Sequence, residues 1–316
     1  MSVMVAPCTR RGILTKAWKF AGATLITPGF IGGSSAQGVG GYAPKLSMEG
    51  YILTQYFASR KETLAAGEAE AIQEAHLAGY QRIELSDPFF RPDVREQTRD
   101  LLAKYLLSPE SVYAGTTMHE AAAAEKSMQE VLELAGYLQP LGTRIIITNP
   151  SPKPNQGRKS DDELKTQAHY VNQLGAALHR RGMKLLLHHH TPELRDSARE
   201  WWYELQHTNP KLVGCCVDVH WAYRGGQEVM PFLRRVGTRV ESLHLRNSQH
   251  GVWMEDFGPG DVDYSPVAEY LHQINYKGFL VVELAYEKET VITRSLEEDL
   301  RRSRIYTEKV FGLEPA

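Results

Sequence analysis

Leu185-Leu186-Leu187-His188-His189-His190 is the stretch on which the reading of this chain turns. Three leucines make an apolar run that suits a buried strand, and the run ends abruptly in imidazoles. Side chains alternate along a strand, so His188 and His190 share one face and His189 takes the other. In parallel α/β proteins the carboxyl ends of the strands are where binding and chemistry sit. Two imidazoles side by side at such an end point to a metal ion or a proton-transfer site, because histidine is the commonest metal ligand and titrates near neutral pH. A polar loop beginning after Leu187 is the plain alternative, and the triplet alone does not separate the two.

On either side of this stretch, short apolar runs alternate with longer amphipathic ones. Strands are predicted at Tyr51–Phe57, Arg82–Leu85, Val112–Thr116, Arg144–Thr148, Lys184–His188, Leu212–Asp218, Arg239–Leu245 and Phe279–Leu284. Helices are predicted at Lys61–Leu77, Asp93–Leu106, Glu120–Leu138, Asp161–Arg180, Glu193–Gln206, Val229–Val236, Ser265–Ile274 and Leu296–Phe311. Ser160 with Glu163 reads as a capping box. Gly79, Gly142, Gly182 and Gly278 stand where a helix must turn back into a strand. Strict alternation favours a parallel sheet, since parallel strands need crossovers. Eight strand-helix units are the count of a single-domain (β/α)8 TIM barrel, which takes ~250 residues. An open doubly wound sheet is disfavoured, because no Gly-rich phosphate loop follows the first strand.

The chain has 316 residues, 42% hydrophobic and 23% charged, with a net charge of -2. That charge offers no drive toward nucleic acid or anionic lipid. No apolar run of ~18 residues follows the N-terminal segment, so no stable membrane insertion is expected once that segment is removed. Cys8, Cys215 and Cys216 suggest no disulfide framework. Residues 1–36 have the order of a secretory leader. Thr9-Arg10-Arg11-Gly12-Ile13-Leu14 resembles a twin-arginine export signature, Ala17 to Gly33 is mildly apolar, and Ser34-Ser35-Ala36 offers small residues for cleavage. The barrel domain is then residues 37–316 and its location the periplasm, or the cytoplasm if the signal does not function.

Strand ends carry an unusual share of metal-binding side chains. Glu84, His188 and His190, Asp218, His244 and Glu283 each sit inside or just after an apolar run. One charged group at such depth is expensive unless it is paired or bound to metal. Several in corresponding places suggest a common centre. His188 or His190 with Asp218, His244 and Glu283 would supply mixed nitrogen and oxygen ligands, which suit one divalent ion of Mn, Co, Zn, Mg or Fe(II). Asp218 could instead cap a helix before Trp221, and His244 could be a satisfied core histidine. Trp221, Trp253 and Tyr56 could wall a sugar ring or simply pack.

These segments carry a family resemblance. Gly79 to Leu85, Leu187 to Leu194, Val217 to Gly226, His244 to Asn247, Gly258 to Asp263, and Val282-Glu283 together resemble the xylose isomerase-like barrel superfamily, in its sugar phosphate isomerase/epimerase branch. Inosose dehydratases and ketose 3-epimerases are relatives in that branch. The resemblance implies Asp218, His244 and Glu283 as metal ligands, with the fourth from the strand-five histidines where many relatives carry Glu. The catalytic base is expected to be Glu283 or one of the strand-five histidines, His188 or His190, and Glu84, Trp221, Arg246 and Trp253 are candidate substrate contacts.

The function expected is a divalent-metal-dependent isomerase or epimerase that removes a proton beside the carbonyl of a sugar, keto-sugar or polyol, with the ion stabilising the enediolate. A sugar dehydratase or lyase, inosose dehydratase-like or acting on a keto-glycoside, is the runner-up. A non-catalytic sugar-binding barrel is the third reading. An endonuclease of the related repair branch is disfavoured by the net charge of -2. The partner expected is a small sugar or keto-sugar; a homodimer is compatible with the sequence without being specified by it.

Overall fold

The computed structural model describes residues 41–315. The expected leader, residues 1–36, lies outside the described residues. The strands are β1 Lys45–Glu49, β2 Ile83–Ser86, β3 Ser111–Tyr113, β4 Ile145–Thr148, β5 Lys184–Leu187, β6 Val213–Asp218, β7 Val240–Leu245, β8 Ser248–Gln249, β9 Val252–Trp253 and β10 Phe279–Val282. The helices are α1 Tyr51–Ser59, α2 Leu64–Leu77, α3 Arg95–Lys104, α4 Ala121–Leu138, α5 Asp161–Arg180, α6 Thr191–His207, α7 Val219–Arg224, α8 Val229–Val236, α9 Ser265–Gln273 and α10 Leu296–Phe311. Eight strands close a parallel barrel in the order β1-β10-β7-β6-β5-β4-β3-β2. The ring shuts where β1 pairs with β10, Lys45 opposite Phe279 through Met48 opposite Val282. The protein is a TIM barrel. β8 and β9 form a separate antiparallel hairpin after β7. No helix among the described residues is long and apolar enough to cross a membrane.

The first expected strand is corrected. Tyr51–Phe57 is helix α1, and the strand is the preceding Lys-Leu-Ser-Met-Glu segment. The β-branched and aromatic content of Tyr51–Phe57 suggested a strand. Its buried residues, Ile52, Leu53 and Phe57, follow helical spacing instead. The sequence anticipates α7 only through the alternative in which Asp218 caps a helix, and it does not anticipate the hairpin. Elsewhere boundaries move by a few residues, and α5, α8 and α10 keep their expected limits.

Local signals act as their chemistry requires. Ser160 Oγ accepts from the Glu163 amide at 3.1 Å, and Glu163 Oε2 accepts from the Ser160 amide at 2.6 Å. Gly79 and Gly142 take φ of +88° and +99° at their turns. Gly278 has another reason to be glycine: a Cβ there would lie 2.1 Å from the Glu241 carbonyl oxygen.

Strand alternation divides the core in two. Met48, Leu85, Leu187, Leu243 and Val282 point out to the helices and join the large apolar layer. The inward apolar cluster is small: Ile147, Leu186 and Cys216, with Tyr113 and Ile145 against it. The other inward positions include Ser47, Glu84, Ser111, Ser242 and His244, all buried. The polar lining of the ring leads up to its carboxyl end.

Candidate metal and proton-transfer site

A cavity of about 330 Å³ opens at the carboxyl ends of the strands. Glu49, Tyr113, His188, His190, His244, Arg246 and Glu283 line its depth, with Tyr51, Ser86, Trp221 and Trp253 toward its mouth. A larger open groove of about 810 Å³ runs between α4 and α5, but it gathers no comparable set of buried ionisable groups.

Each polar side chain is set by its strand. β5 ends at Leu187, and the extended chain beyond it sends His188 and His190 inward and His189 outward, as alternation predicts. His189 packs against Trp201 and Phe232, with ring centroids at 4.6 and 5.3 Å. His188 Nε2 and His190 Nε2 lie 3.3 Å apart. Burial holds both imidazoles below their usual range, so both are neutral near pH 7. Asp218 ends β6 and does two things. Its Oδ1 accepts from the Trp221 amide at 2.7 Å, capping α7, while Oδ2 accepts from Arg246 at 2.7 Å. The helix-cap alternative and a place in the site therefore hold together.

His188, Asp218, His244 and Glu283 each present a ligand atom, and these atoms all lie within 4.8 Å of one another. All four residues are buried. His190 stands outside this set, beside His188 and edge-on to Trp221 at 5.5 Å. The donor chemistry fits a divalent ion. His244 Nε2 donates to Glu84 Oε1 at 2.8 Å, which fixes the tautomer and leaves Nδ1 facing Glu283 Oε2 at 2.6 Å. That second approach lacks hydrogen-bond direction, and both atoms, like His188 Nδ1, are buried without a hydrogen-bond partner among the described residues. Burial opposes a charge on His244, but Cys216, Glu84 and Glu283 outweigh it and push its pKa well above the imidazole range. The surroundings of Nδ1 favour positive charge, whether proton or metal ion.

Arg246 is the other cation in the cavity. It is buried, bonded to Asp218 Oδ2 and Glu283 Oε1, and its guanidinium lies 4.6 Å from the Trp253 ring centroid. Burial alone would raise the Glu283 carboxyl; Arg246 and His244 instead hold it low and ionised.

Glu84 is placed differently from the expectation of a substrate contact. It is fully buried one layer beneath the cavity, where Ser111 Oγ donates to its Oε2 at 2.6 Å and His244 to its Oε1. Trp221 and Trp253 do face the cavity, at 5.3 Å and 83° to each other. Trp253 is carried by the hairpin and anchored by a directional chain. Its Nε1 donates to His220 Nδ1 at 3.2 Å, His220 Nε2 bonds Ser248 Oγ at 2.9 Å, and Ser248 Oγ donates to Asp261 Oδ2 at 2.6 Å. Gly260 lets this loop close, since a Cβ there would lie 2.2 Å from the Ser248 carbonyl oxygen. Tyr56 faces Glu70 instead of the cavity, its hydroxyl donating at 3.0 Å.

Sequence reasoning missed Glu49, Tyr113, Tyr51 and Ser86. Glu49 ends β1, its Oε2 accepting from the Tyr51 amide at 2.6 Å. Burial first, then the nearby Glu283 and Glu84 carboxylates, push its carboxyl well above the ordinary range. Tyr113 donates its hydroxyl to Asn149 Oδ1.

Residues 72–306 match the family model for the xylose isomerase-like TIM barrel. The chain belongs to that family. Among curated proteins, an inosose dehydratase from Clostridium perfringens is 24% identical over 273 residues, covering 76% of this chain and 89% of that protein. An inosose dehydratase from Geobacillus kaustophilus is 23% identical, covering 68% and 79%. Among solved structures, a D-allulose 3-epimerase from Methylomonas sp. superposes with a TM-score of 0.68 at 17% identity, covering 85% of this chain and 98% of that one. A sugar phosphate isomerase/epimerase from Parabacteroides distasonis gives 0.65 at 16%, covering 90% and 98%. At these identities the structural matches speak for the fold alone. These relatives are sugar-modifying enzymes.

Proposed function

We propose that the chain is a divalent-metal-dependent sugar isomerase or epimerase that moves a proton beside the carbonyl of an unphosphorylated sugar or keto-sugar. The observation that carries this reading is the convergence of His188, Asp218, His244 and Glu283, three of which (His188, His244 and Glu283) line a cavity that also holds the neutral imidazole of His190. Those four residues would hold the ion. When bound, it supplies Lewis-acid charge to carbonyl and hydroxyl oxygens.

The protein's own groups then have distinct tasks. Trp221 and Trp253 give the apolar C–H face of a sugar two walls to rest on. Both oxygens of Glu283 are engaged, one by Arg246 and one against His244, so Glu283 serves as ligand more readily than as base. His190 lines the cavity and is neutral, so it is the group suited to take the proton from carbon. Arg246 pairs with Asp218 and Glu283, helps keep Glu283 ionised, and is spent in doing so. Among the described residues no other Lys or Arg lines the cavity, which supports an uncharged substrate over a phosphorylated one.

A dehydratase is the second reading, favoured by the inosose dehydratase relatives and by an imidazole base, which suits β-elimination equally well. Periplasmic location is also proposed, from the Arg10-Arg11 leader, and cell fractionation tests it. The catalytic test uses metal-loaded protein in deuterated water with D-allulose, D-fructose, D-tagatose and a keto-inositol, followed by NMR. Deuterium at a carbon beside the carbonyl with an epimer or isomer formed supports the first reading. Exchange with loss of water supports the second. No exchange with any of the four overturns both and leaves a sugar-binding barrel.

A further inference from the structure

We propose that Glu49 is a catalytic residue, exchanging a proton with the substrate on the face opposite His190. The inference rests on the proton-transfer reading above. It follows from asking which cavity groups still have a polar atom free to act. Asp218 is committed at both oxygens, to the Trp221 amide and to Arg246. Glu283 is committed to Arg246 and against His244. His244 is held between Glu84 and Glu283. The Tyr113 hydroxyl is donated to Asn149. Glu49 differs from all of these. Its Oε2 is anchored by the Tyr51 amide at 2.6 Å, and among the described residues its Oε1 has no hydrogen-bond partner. Among the described residues lining the cavity, Glu49 is therefore the carboxyl that makes no ion pair, with one oxygen fixed by the Tyr51 amide and the other unbonded.

Its place in the ring matters as much. In the closed order, β1 and β5 are separated by three strands on either side, so they stand across the barrel from each other. Glu49 ends β1, and His190 lies just past the end of β5. A sugar carbon held in a cavity of about 330 Å³ between them meets the carboxyl on one side and the imidazole on the other.

The chemistry balances without a co-reactant. His190 takes the proton from the carbon beside the carbonyl. The C–H electron pair becomes a carbon–carbon double bond, and the carbonyl oxygen takes up the negative charge. The Glu49 carboxyl then gives its proton to that carbon from the other side. The double-bond pair forms the new C–H bond, the carbonyl is restored, and Glu49 is left as carboxylate. The reverse turnover exchanges the two roles.

The test is deuterium exchange with separated epimers, using the D-allulose and D-fructose pair first and otherwise whichever ketose of the panel the wild-type protein epimerises. Glu49→Gln keeps the acceptor for the Tyr51 amide. It is expected to slow epimerisation by about a hundredfold or more, while one of the two epimers still exchanges its proton with solvent at a rate within a few-fold of wild type. His190→Gln is expected to leave exchange in the other epimer. Metal content and thermal melting of both variants should match wild type. Should Glu49→Gln fold poorly, Glu49→Asp, which draws the carboxyl back by one methylene, is expected to slow epimerisation about tenfold or more with the same one-sided exchange. Epimerisation at wild-type rate in either Glu49 variant overturns the proposal and leaves the proton-transfer reading intact. Loss of exchange from both epimers in a folded, metal-replete Glu49→Gln protein also overturns it. Absence of exchange in the wild-type protein overturns the underlying reading, and the role of Glu49 with it.

Discussion

Outside the ring, Met48, Leu85, Leu187, Leu243 and Val282 pack against the helices in one continuous apolar layer. Inside, the apolar cluster is small, Ile147, Leu186 and Cys216 with Tyr113 and Ile145 against it, and serine, carboxylate and imidazole share the remaining space with Val281 and Phe279. A barrel interior is more often filled by layers of bulky branched residues. Here neighbouring residues on one strand serve different ends: Leu243 holds the wall up while His244 faces the chemistry. Stability and reactivity are thus assigned to opposite faces of the same strands, and substitutions should separate them.

The largest effect is expected inside. Glu283→Ala should remove bound metal and turnover together, while circular dichroism and melting remain close to wild type. Elemental analysis beside a turnover assay checks this, and an active Glu283→Ala protein breaks the comparison. Outside, Leu243→Ala should cost about 2–5 kcal/mol of stability by leaving a cavity behind the wall. The molecules that stay folded should keep wild-type metal affinity, which denaturant melts and a metal titration resolve. One step beneath the site, Glu84→Gln should weaken metal binding by about 10–100-fold, because it unsettles the tautomer and direction of His244 without touching the ion. A folded Glu84→Gln protein with unchanged affinity would show that His244 needs no such support.

The smallest effect concerns a misfit in the outer layer. Glu204 on α6 is buried, and burial pushes its carboxyl from 4.5 up to about 8. Between those values the folded chain keeps a proton that the unfolded chain releases. The stability tied to this group is whole below pH 4.5 and is lost as pH rises toward 8. Glu204→Gln should flatten that part of the melting-temperature profile. An unchanged slope between pH 5 and pH 8 counts against the buried acid as its source.

Much of this division is legible in the sequence, where the two faces of a strand differ sharply in chemistry. The Leu-Leu-Leu to His-His-His transition announces a strand leaving its core, and Asp218, His244 and Glu283 stand at matching strand ends. β1 hid because its inward residues, Ser47 and Glu49, are polar and only Leu46 and Met48 are apolar, so five residues carry too little contrast to mark a strand. The aromatic run beside it drew the assignment six residues downstream, and Glu49 was passed over with it. Glu84 shows a different limit. Its strand and its inward direction were legible, but depth along the barrel axis was not. A strand advances about 3.3 Å per residue, and one such step decides whether a carboxylate touches a ligand or only the histidine above it.

The seam between β1 and β10 has a consequence for biosynthesis. Glu49 comes from the first barrel strand and Glu283 directly follows the last, and the two carboxyls become neighbours only when that seam zips. A nascent or clipped polypeptide lacking the final strand carries most of the site's side chains but has no closed ring to bring them together.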